Sequence, residues 1–234
     1  MMPDAMLFDL DGVIADTAGL HFAAWRRLAR ELGGDLPNSF EVGLKGLSRK
    51  DSLERILAFL GNTVGDEEQQ RLMARKNAWY RDSLKCITAA DALPGARSIL
   101  EAARQAGIAL ALVSQSRNAP EILGRLELAQ FFDHVVDPSK VARGKPSPDI
   151  FLAAAGALNV APAHCIGIED APAGVLAIRR AGMFALGIGA RDELDKAHMV
   201  RADLASVDLR QLFARWQAWR TGADAGKSGQ SAKL

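Results

Sequence analysis

The chain has 234 residues, 49% of them hydrophobic and 24% charged, with a formal net charge of +1; that is the balance of an ordinary globular protein, one large domain or two small ones, with no basic excess to draw a nucleic acid. No apolar run approaches the roughly 18 residues of a membrane span, and an acidic motif begins by residue 9 with no secretory leader before it. Two cysteines, Cys86 and Cys165, have neither a CxxC pair nor a metal-like spacing, so both read as reduced thiols of a cytoplasmic protein.

The first element is the apolar run "AMLFDL" at 5–10, strand-length, which ends in Asp9 and Asp11 followed by Gly12. Such a pair either meets solvent in a strand-end turn or is held by something cationic. From 17 to about 92 no convincing strand occurs. Instead "LHFAAWRRLAREL" sets Trp25, Leu28 and Leu32 at helical spacing, "SRKDSLERILAFL" opens with Ser48 and Asp51 in capping-box positions, and "EEQQRLMARKNAWYRDSL" continues the helical pattern. The spacing predicts a helical cap domain at 17–92, inserted after the first strand and before a helix near "GARSILEAARQAG".

Four more strand-length runs follow: "IALALVS" at 108–114, "HVVD" at 134–137, "CIGI" at 165–168 and "FALGI" at 184–188. Helix starts lie between them at Asn118 with Glu121, at Ser147 before Pro148, and at Asp170 before Pro172. Continuous apolar strands alternating with helices predict an α/β, Rossmann-like parallel sheet covered on both faces, formed by residues 1–16 and 93–220. "LRQLFARWQAW" is expected to dock Leu212, Phe213 and Trp216, and the small polar stretch 221–234 to be disordered. Within that stretch "GADAGKS" lacks the first P-loop glycine, where Thr221 stands, and "GIGARD" lacks the third glycine of a dinucleotide fingerprint.

Ligands of parallel α/β sheets collect at the carboxyl ends of the strands. There stand Asp9 and Asp11, then Ser114 with Ser116 and Asn118, then Glu169 and Asp170, while Lys145 precedes "PSPD" in a loop. Each has a plain reading when taken singly: a turn, a helix cap, a surface lysine. Together they are chemically coherent. Converging carboxylates would repel by about 4 kcal/mol per pair 4 Å apart at an effective dielectric of 20, and a divalent cation relieves this. Hard oxygen donors favour magnesium, which works with phosphate. One aspartate could then attack phosphorus while the other handles protons.

"DLDGVIADT", "SQS", "KPSPD" and "GIEDAPAG" resemble, in order, the four motifs of the haloacid dehalogenase superfamily of aspartate-dependent phosphotransferases, over residues 5 to about 190. The resemblance implies that Asp9 is the nucleophile and Asp11 the general acid/base, with Ser114 and Lys145 as phosphate ligands. It also implies a magnesium site of Asp9, Glu169 and Asp170, with Asp11 adding its backbone carbonyl. The segments "DTAGLHFAAWRRLARELG", "LKGLSRKDSLERIL", "RKNAWY" and "VVDPSKVARGKPSPDIFLAAA" are similar to sugar-phosphate mutases within that superfamily. That likeness assigns His21 to orienting the acid/base and gating it against water, and Arg49, with Ser116 and Asn118, to phosphate. It assigns Lys76, Lys45, Gly46 and Ser48 to the sugar and cap closure, and Thr17 to the start of the hinge. Gln115, between the two serines, departs from the small residue expected there.

The implied activity moves phosphate between the C1 and C6 oxygens of β-D-glucose, with magnesium and with β-glucose 1,6-bisphosphate as activating intermediate, in a monomer that meets small molecules. A sugar-phosphate phosphatase with the same motifs is the alternative; a phosphorylated signalling receiver would need no large helical insertion. His134, His164 and His198 show no partners at useful spacing and are read as structural.

Overall fold

The computed structural model describes residues 1–222. Six parallel strands form one sheet: β1 (Ala5–Phe8), β2 (Ala109–Leu112), β3 (His134–Val135), β4 (Cys165–Glu169), β5 (Phe184–Ile188) and β6 (Met199–Arg201), in the order β3-β2-β1-β4-β5-β6. The earliest strand lies near the middle because later strands are added on both of its sides. Phe8 is in register with Leu112 on one side and Ile168 on the other. Two bonds carry the pairing one step further, Asp9 N–H donating to Ile168 (2.9 Å) and Val113 N–H to Phe8 (2.7 Å). The register therefore brings the ends of β1, β2 and β4 abreast at the point where the strand order reverses, the usual ligand crevice of such sheets. β6, only three residues long and ending in Arg201, has no sequence signal of its own.

The residues of β1 are wholly buried because helices cover both faces. On one side the cluster contains Met6, Phe8, Leu110, Leu112 and the C-terminal helix α8 (Leu209–Arg220), which docks through Leu212 and Trp216 with Phe213 half-buried beside them. The opposite face packs Leu7, Ala111 and Val113 against α6 (Asp149–Ala157) and α7 (Pro172–Arg180). Each of these two helices begins slightly later than its sequence signal: Ser147 bonds to Asp149 (2.6 Å), and α7 starts with Pro172 as its first residue. At α5 (Ala119–Arg125) the expected box is not made, since Glu121 pairs instead with Arg81 and Arg125.

The insertion is helical as expected: α1 (Ala18–Glu31), α2 (Arg49–Leu60) and α3 (Asp66–Leu84). These helices bury a cluster of their own around Phe22, Trp25, Leu28, Leu53, Ile56 and Leu72, while Ala24, Tyr80 and Leu84 reach into the sheet-side core. Ser48 caps α2 by accepting from the Asp51 N–H, and its hydroxyl donates to the Asp51 carboxylate (2.6 Å). α4 (Ala96–Gln105) returns the chain to the sheet.

Two of the three histidines read as partnerless have partners: His164 pairs with Asp4 (2.6 Å), and His198 accepts from the Ala185 N–H (2.8 Å). Cys86 is exposed and Cys165 buried, both free. Among the described residues no helix is long and apolar enough to cross a membrane. Thr221 and Gly222, expected to be disordered, close α8 through bonds to Gln217 and Trp219; the rest of that expectation, and the P-loop-like stretch, lie outside the described residues.

Candidate active site

Immediately after β1 the chain folds into a tight turn in which the N–H groups of Ile14 and Ala15 donate to Leu10 and that of Gly12 to Ala15. Gly12 adopts φ +87°, and a side chain there would overlap the Asp170 carboxylate. Only glycine meets both demands. The turn brings two acids into one pocket and aims them differently.

Asp9 is buried beside Glu169 and Asp170, and each of the three offers an oxygen within 4.8 Å of the others. Lys145 enters this cluster from the loop before α6. Its ammonium lies 2.5 Å from Asp9, 2.5 Å from Glu169 and 3.2 Å from the Val113 carbonyl. Glu169 is fixed further by the Ala171 N–H (2.8 Å) and leaves no space for a side chain at Gly174.

Lys145 thus serves two of the carboxylates, and Lys45 meets the third. Burial opposes the Lys145 charge, but Asp9 and Glu169 outweigh it and hold its pKa above the ordinary lysine value. Burial, reinforced by Glu169, Asp11 and Asp170, nevertheless pushes Asp9 well up despite Lys145. Asp170 rises to about 7, through burial and then Glu169, although Lys45 sits 3.1 Å from it. Two lysines do not neutralise three carboxylates with Asp11 beside them, and three hard oxygen donors with net negative charge fit a magnesium ion.

Asp11 turns toward the insertion. Thr17 donates its hydroxyl to one Asp11 oxygen, the Ser114 hydroxyl lies 3.5 Å from the other, and His21 Nε2 stands 3.7 Å from the first. Burial raises the Asp11 pKa against the opposing effects of Thr17, Lys145, Lys76 and Ser114. Behind His21 the Lys76 ammonium is 2.7 Å from Nδ1. With Nδ1 accepting from the lysine, the imidazole N–H is at Nε2 and faces Asp11. Burial lowers the His21 pKa well below its usual value, and the positive charges of Lys76 and Arg49 add to this.

Lys76 looks in sequence like one charge on a solvated helical face. It is in fact buried, 4.7 Å from the ring centres of both Trp25 and Tyr80, and burial together with Arg49 lowers its pKa to about 7. Tyr80 also stacks on His21 with ring centres 3.8 Å apart. From the sequence Trp25 reads only as an apolar position of its helix, and Tyr80 is not singled out. A signal for both was present, since Trp25 lies four residues after His21 and Tyr80 four after Lys76, on the same helical face.

Arg49 donates to Asn77 Oδ1 (2.8 Å), which also accepts from Asn118 (2.9 Å), so Asn77 ties α2 and α3 to the β2 loop. Burial and then the charge of Arg117 lower the Arg49 pKa. Among the described residues neither Arg49 nor Lys76 makes an ion pair with a carboxylate. In the β2 loop the Ser116 N–H donates to Ser114 Oγ (3.0 Å) and the Asn118 N–H to Ser116 Oγ (3.3 Å).

A cavity lies between sheet and insertion, lined by Asp9 and Asp11 from below and by His21, Lys45, Gly46, Arg49 and Lys76 from above, with Gln115 and Ser116 at the side. Its charged and amide groups suit a small polar ligand. Of the residues expected at the sugar, Ser48 does not line the cavity, its hydroxyl being used in the cap of α2, whereas Ser52 one turn later does. Arg117 and Asn77 join the cationic group without having been anticipated.

Residues 3–182 match the family model for haloacid dehalogenase-like hydrolases. The chain is 44% identical to the β-phosphoglucomutase of Bacillus subtilis over 218 residues, 92% of this chain and 96% of that one. It is 32% identical to the validoxylamine A 7'-phosphate phosphatase of Streptomyces hygroscopicus over 90% of this chain and 95% of the other. The crystal structure of β-phosphoglucomutase from Clostridium difficile superposes with a TM-score of 0.92 at 40% identity, covering 94% of this chain and all (100%) of that one. With the paired aspartates, the buried lysine and the helical insertion in place, the chain belongs to the haloacid dehalogenase-like hydrolases and, within them, is similar to β-phosphoglucomutases.

Proposed function

We propose that the protein is a phosphotransferase that interconverts β-D-glucose 1-phosphate and D-glucose 6-phosphate through a phosphoaspartyl enzyme and bound β-glucose 1,6-bisphosphate. One observation carries this reading. Arg49 lines the cavity from the insertion, Lys145 lies buried beneath the floor where it bonds to the lining residue Asp9, and Arg49 is spared any carboxylate partner among the described residues. A hydrolase acting on one phosphate needs a single anchor; a bisphosphate needs two.

In the proposed cycle Asp9 starts phosphorylated. The C6 hydroxyl of β-glucose 1-phosphate attacks that phosphorus and gives its proton to Asp11, while the bond from phosphorus to the Asp9 oxygen breaks. The bisphosphate then turns over in the site. Asp9 attacks the phosphorus on C1, Asp11 returns its proton to the departing C1 oxygen, and glucose 6-phosphate is left. The raised Asp11 pKa suits a group that must alternate between acid and base. Lys145 and the Ser114 hydroxyl would steady the oxygens of the transferring group, and Arg49, with Ser116 and Asn118, the distal phosphate. Asp9, Glu169 and Asp170, with the Asp11 carbonyl, would hold magnesium, which when bound supplies charge neutralisation to phosphoryl oxygens.

An acyl phosphate hydrolyses if water reaches it. We assign residues 17–92 as a cap whose closure excludes water, with the neutral His21 N–H and Lys76 keeping Asp11 directed at the sugar. Thr17, bonded to Asp11 at the start of α1, couples the hinge to the acid/base. Lys45 bridges cap and core by its pair with Asp170. All these groups come from one chain, which fits a monomer, and free thiols fit a reducing cytoplasm.

The test is a product assay with α- and β-glucose 1-phosphate side by side and a trace of bisphosphate. The β-anomer should give glucose 6-phosphate and the α-anomer none. Stoichiometric inorganic phosphate instead would favour a phosphatase, the activity of the 32% identical relative.

A further inference from the structure

Gln115 is the residue of the β2 loop to which nothing above gives a role. Its side chain lines the cavity, and its amide nitrogen is enclosed with no hydrogen-bond partner. The flanking bonds, Ser116 N–H to Ser114 and Asn118 N–H to Ser116, wind the loop tightly and fix the direction in which Gln115 leaves it. The carboxamide rests on Gly144, the residue before Lys145: a Cβ there would lie 2.9 Å from Nε2 and 3.5 Å from both Cδ and Oε1. Gly144 is not among the glycines with positive φ, so backbone conformation does not demand glycine at this position. A side chain there would instead require the carboxamide to move from its place.

An enclosed donor without an acceptor destabilises the fold that contains it, and replacing it by an apolar group of the same shape relieves that cost. A polar group that burdens the free protein while facing a ligand cavity is explained if the ligand supplies the missing acceptor. We propose that Gln115 is a substrate-binding residue whose carboxamide N–H donates to an oxygen of the bound hexose phosphate, and that Gly144 is the seat that admits it. The assignment rests on the sugar-phosphate reading of this cavity and adds to it a contact made by a residue type that the motif does not call for.

The test compares wild type with Gln115→Met, Gln115→Asn, Gly144→Ala and the double variant Gln115→Met/Gly144→Ala, by steady-state kinetics on β-glucose 1-phosphate and by thermal unfolding without substrate. Gln115→Met keeps the length and removes the donor. It should raise KM and lower kcat/KM by about ten- to a hundredfold, the usual range for a lost hydrogen bond to a charged acceptor, while leaving Tm unchanged or higher. Gln115→Asn keeps the donor at shorter reach and should recover part of the loss. Gly144→Ala displaces the carboxamide and should reproduce the kinetic loss, yet add nothing in the Gln115→Met background. Unchanged kcat/KM in Gln115→Met, additive losses in the double variant, or a KM effect that tracks a fall in Tm would each overturn the assignment. If wild type itself makes no glucose 6-phosphate, the failure lies with the mutase reading. Gln115 is then judged by the same comparison in whatever phosphate release the wild type catalyses.

Discussion

The floor of the cavity and its roof are both charge-dense and both buried, yet they solve opposite problems. At the floor, strand ends force Asp9, Glu169 and Asp170 within 4.8 Å of one another, with a single lysine among them. In the roof, helices gather His21, Arg49 and Lys76 around aromatic rings with no carboxylate paired to either Arg49 or Lys76 among the described residues. Carboxylates outnumber cations at the floor, and cations outnumber carboxylates in the roof, where Glu41 is the one acid among the lining residues. A cation below and a doubly phosphorylated sugar between would satisfy both, which is why the two halves read as one site. The floor is held by sheet register and short local bonds, so it is suited to chemistry. The roof is built on helices with a hydrophobic cluster of their own, and its cations reach the cavity from across that separate packing.

The contrast is broken most sharply at the nucleophile. Asp9→Asn should lower kcat by roughly 10⁴-fold or more, since a covalent step loses its only acceptor; steady-state turnover checks this, and near-normal turnover would remove the floor from the chemistry. Lys145→Met leaves buried Asp9 and Glu169 without their shared cation and should lower the unfolding free energy in chelator by about 3–5 kcal/mol. Urea denaturation with and without magnesium sharpens the comparison, because added metal should recover part of the loss. A roof change should be milder. His21→Ala should reduce kcat by about 10²-fold, within the span of acid–base effects, and should increase the share of phosphate lost to water, measured as inorganic phosphate released per glucose 6-phosphate formed.

The smallest effect is a pair of opposite pH slopes in metal-free protein. From about pH 4 to 7 the folded Asp170 keeps a proton that the unfolded chain has released, so stability falls as pH rises, with Asp9 and Asp11 acting in the same direction. From about 7 to 10.5 the unfolded Lys76 keeps a proton that the folded one has released, so stability rises with pH. Each slope is at most about 1.4 kcal/mol per pH unit per group. Asp170→Asn should flatten the first window and Lys76→Met the second, read from urea midpoints across pH. A slope of the same sign in both windows would erase the contrast.

Much of the floor was legible in the sequence because it is built from short-range features: continuous apolar runs for strands, and acids or hydroxyls placed directly at their ends. Strand register then does the rest, and it follows from topology. The roof was legible only in outline. Taken singly Lys76 is one charge on a helical face, and only the likeness to sugar-phosphate mutases put it at the site, because its burial depends on Trp25, fifty-one positions earlier, and its lowered pKa on Arg49 of another helix. Asn77 and Arg117 take their meaning from the meeting of the insertion and the β2 loop, which no local pattern encodes. The capping box at Ser48 was read correctly as a helix start, but that same bond withdraws the serine from the cavity. β6 escaped notice because three residues carry too little periodicity. His164 and His198 found partners across the fold for the same long-range reason.

The central claim is that Asp9 carries phosphate transiently and passes it to sugar. Enzyme labelled from ³²P-bisphosphate should yield, after acid quench and peptide mapping, a label on Asp9, and a chase with β-glucose 1-phosphate in a single turnover should move that label into hexose bisphosphate. Label on another residue, or its appearance as inorganic phosphate at the rate of the chase, would contradict it.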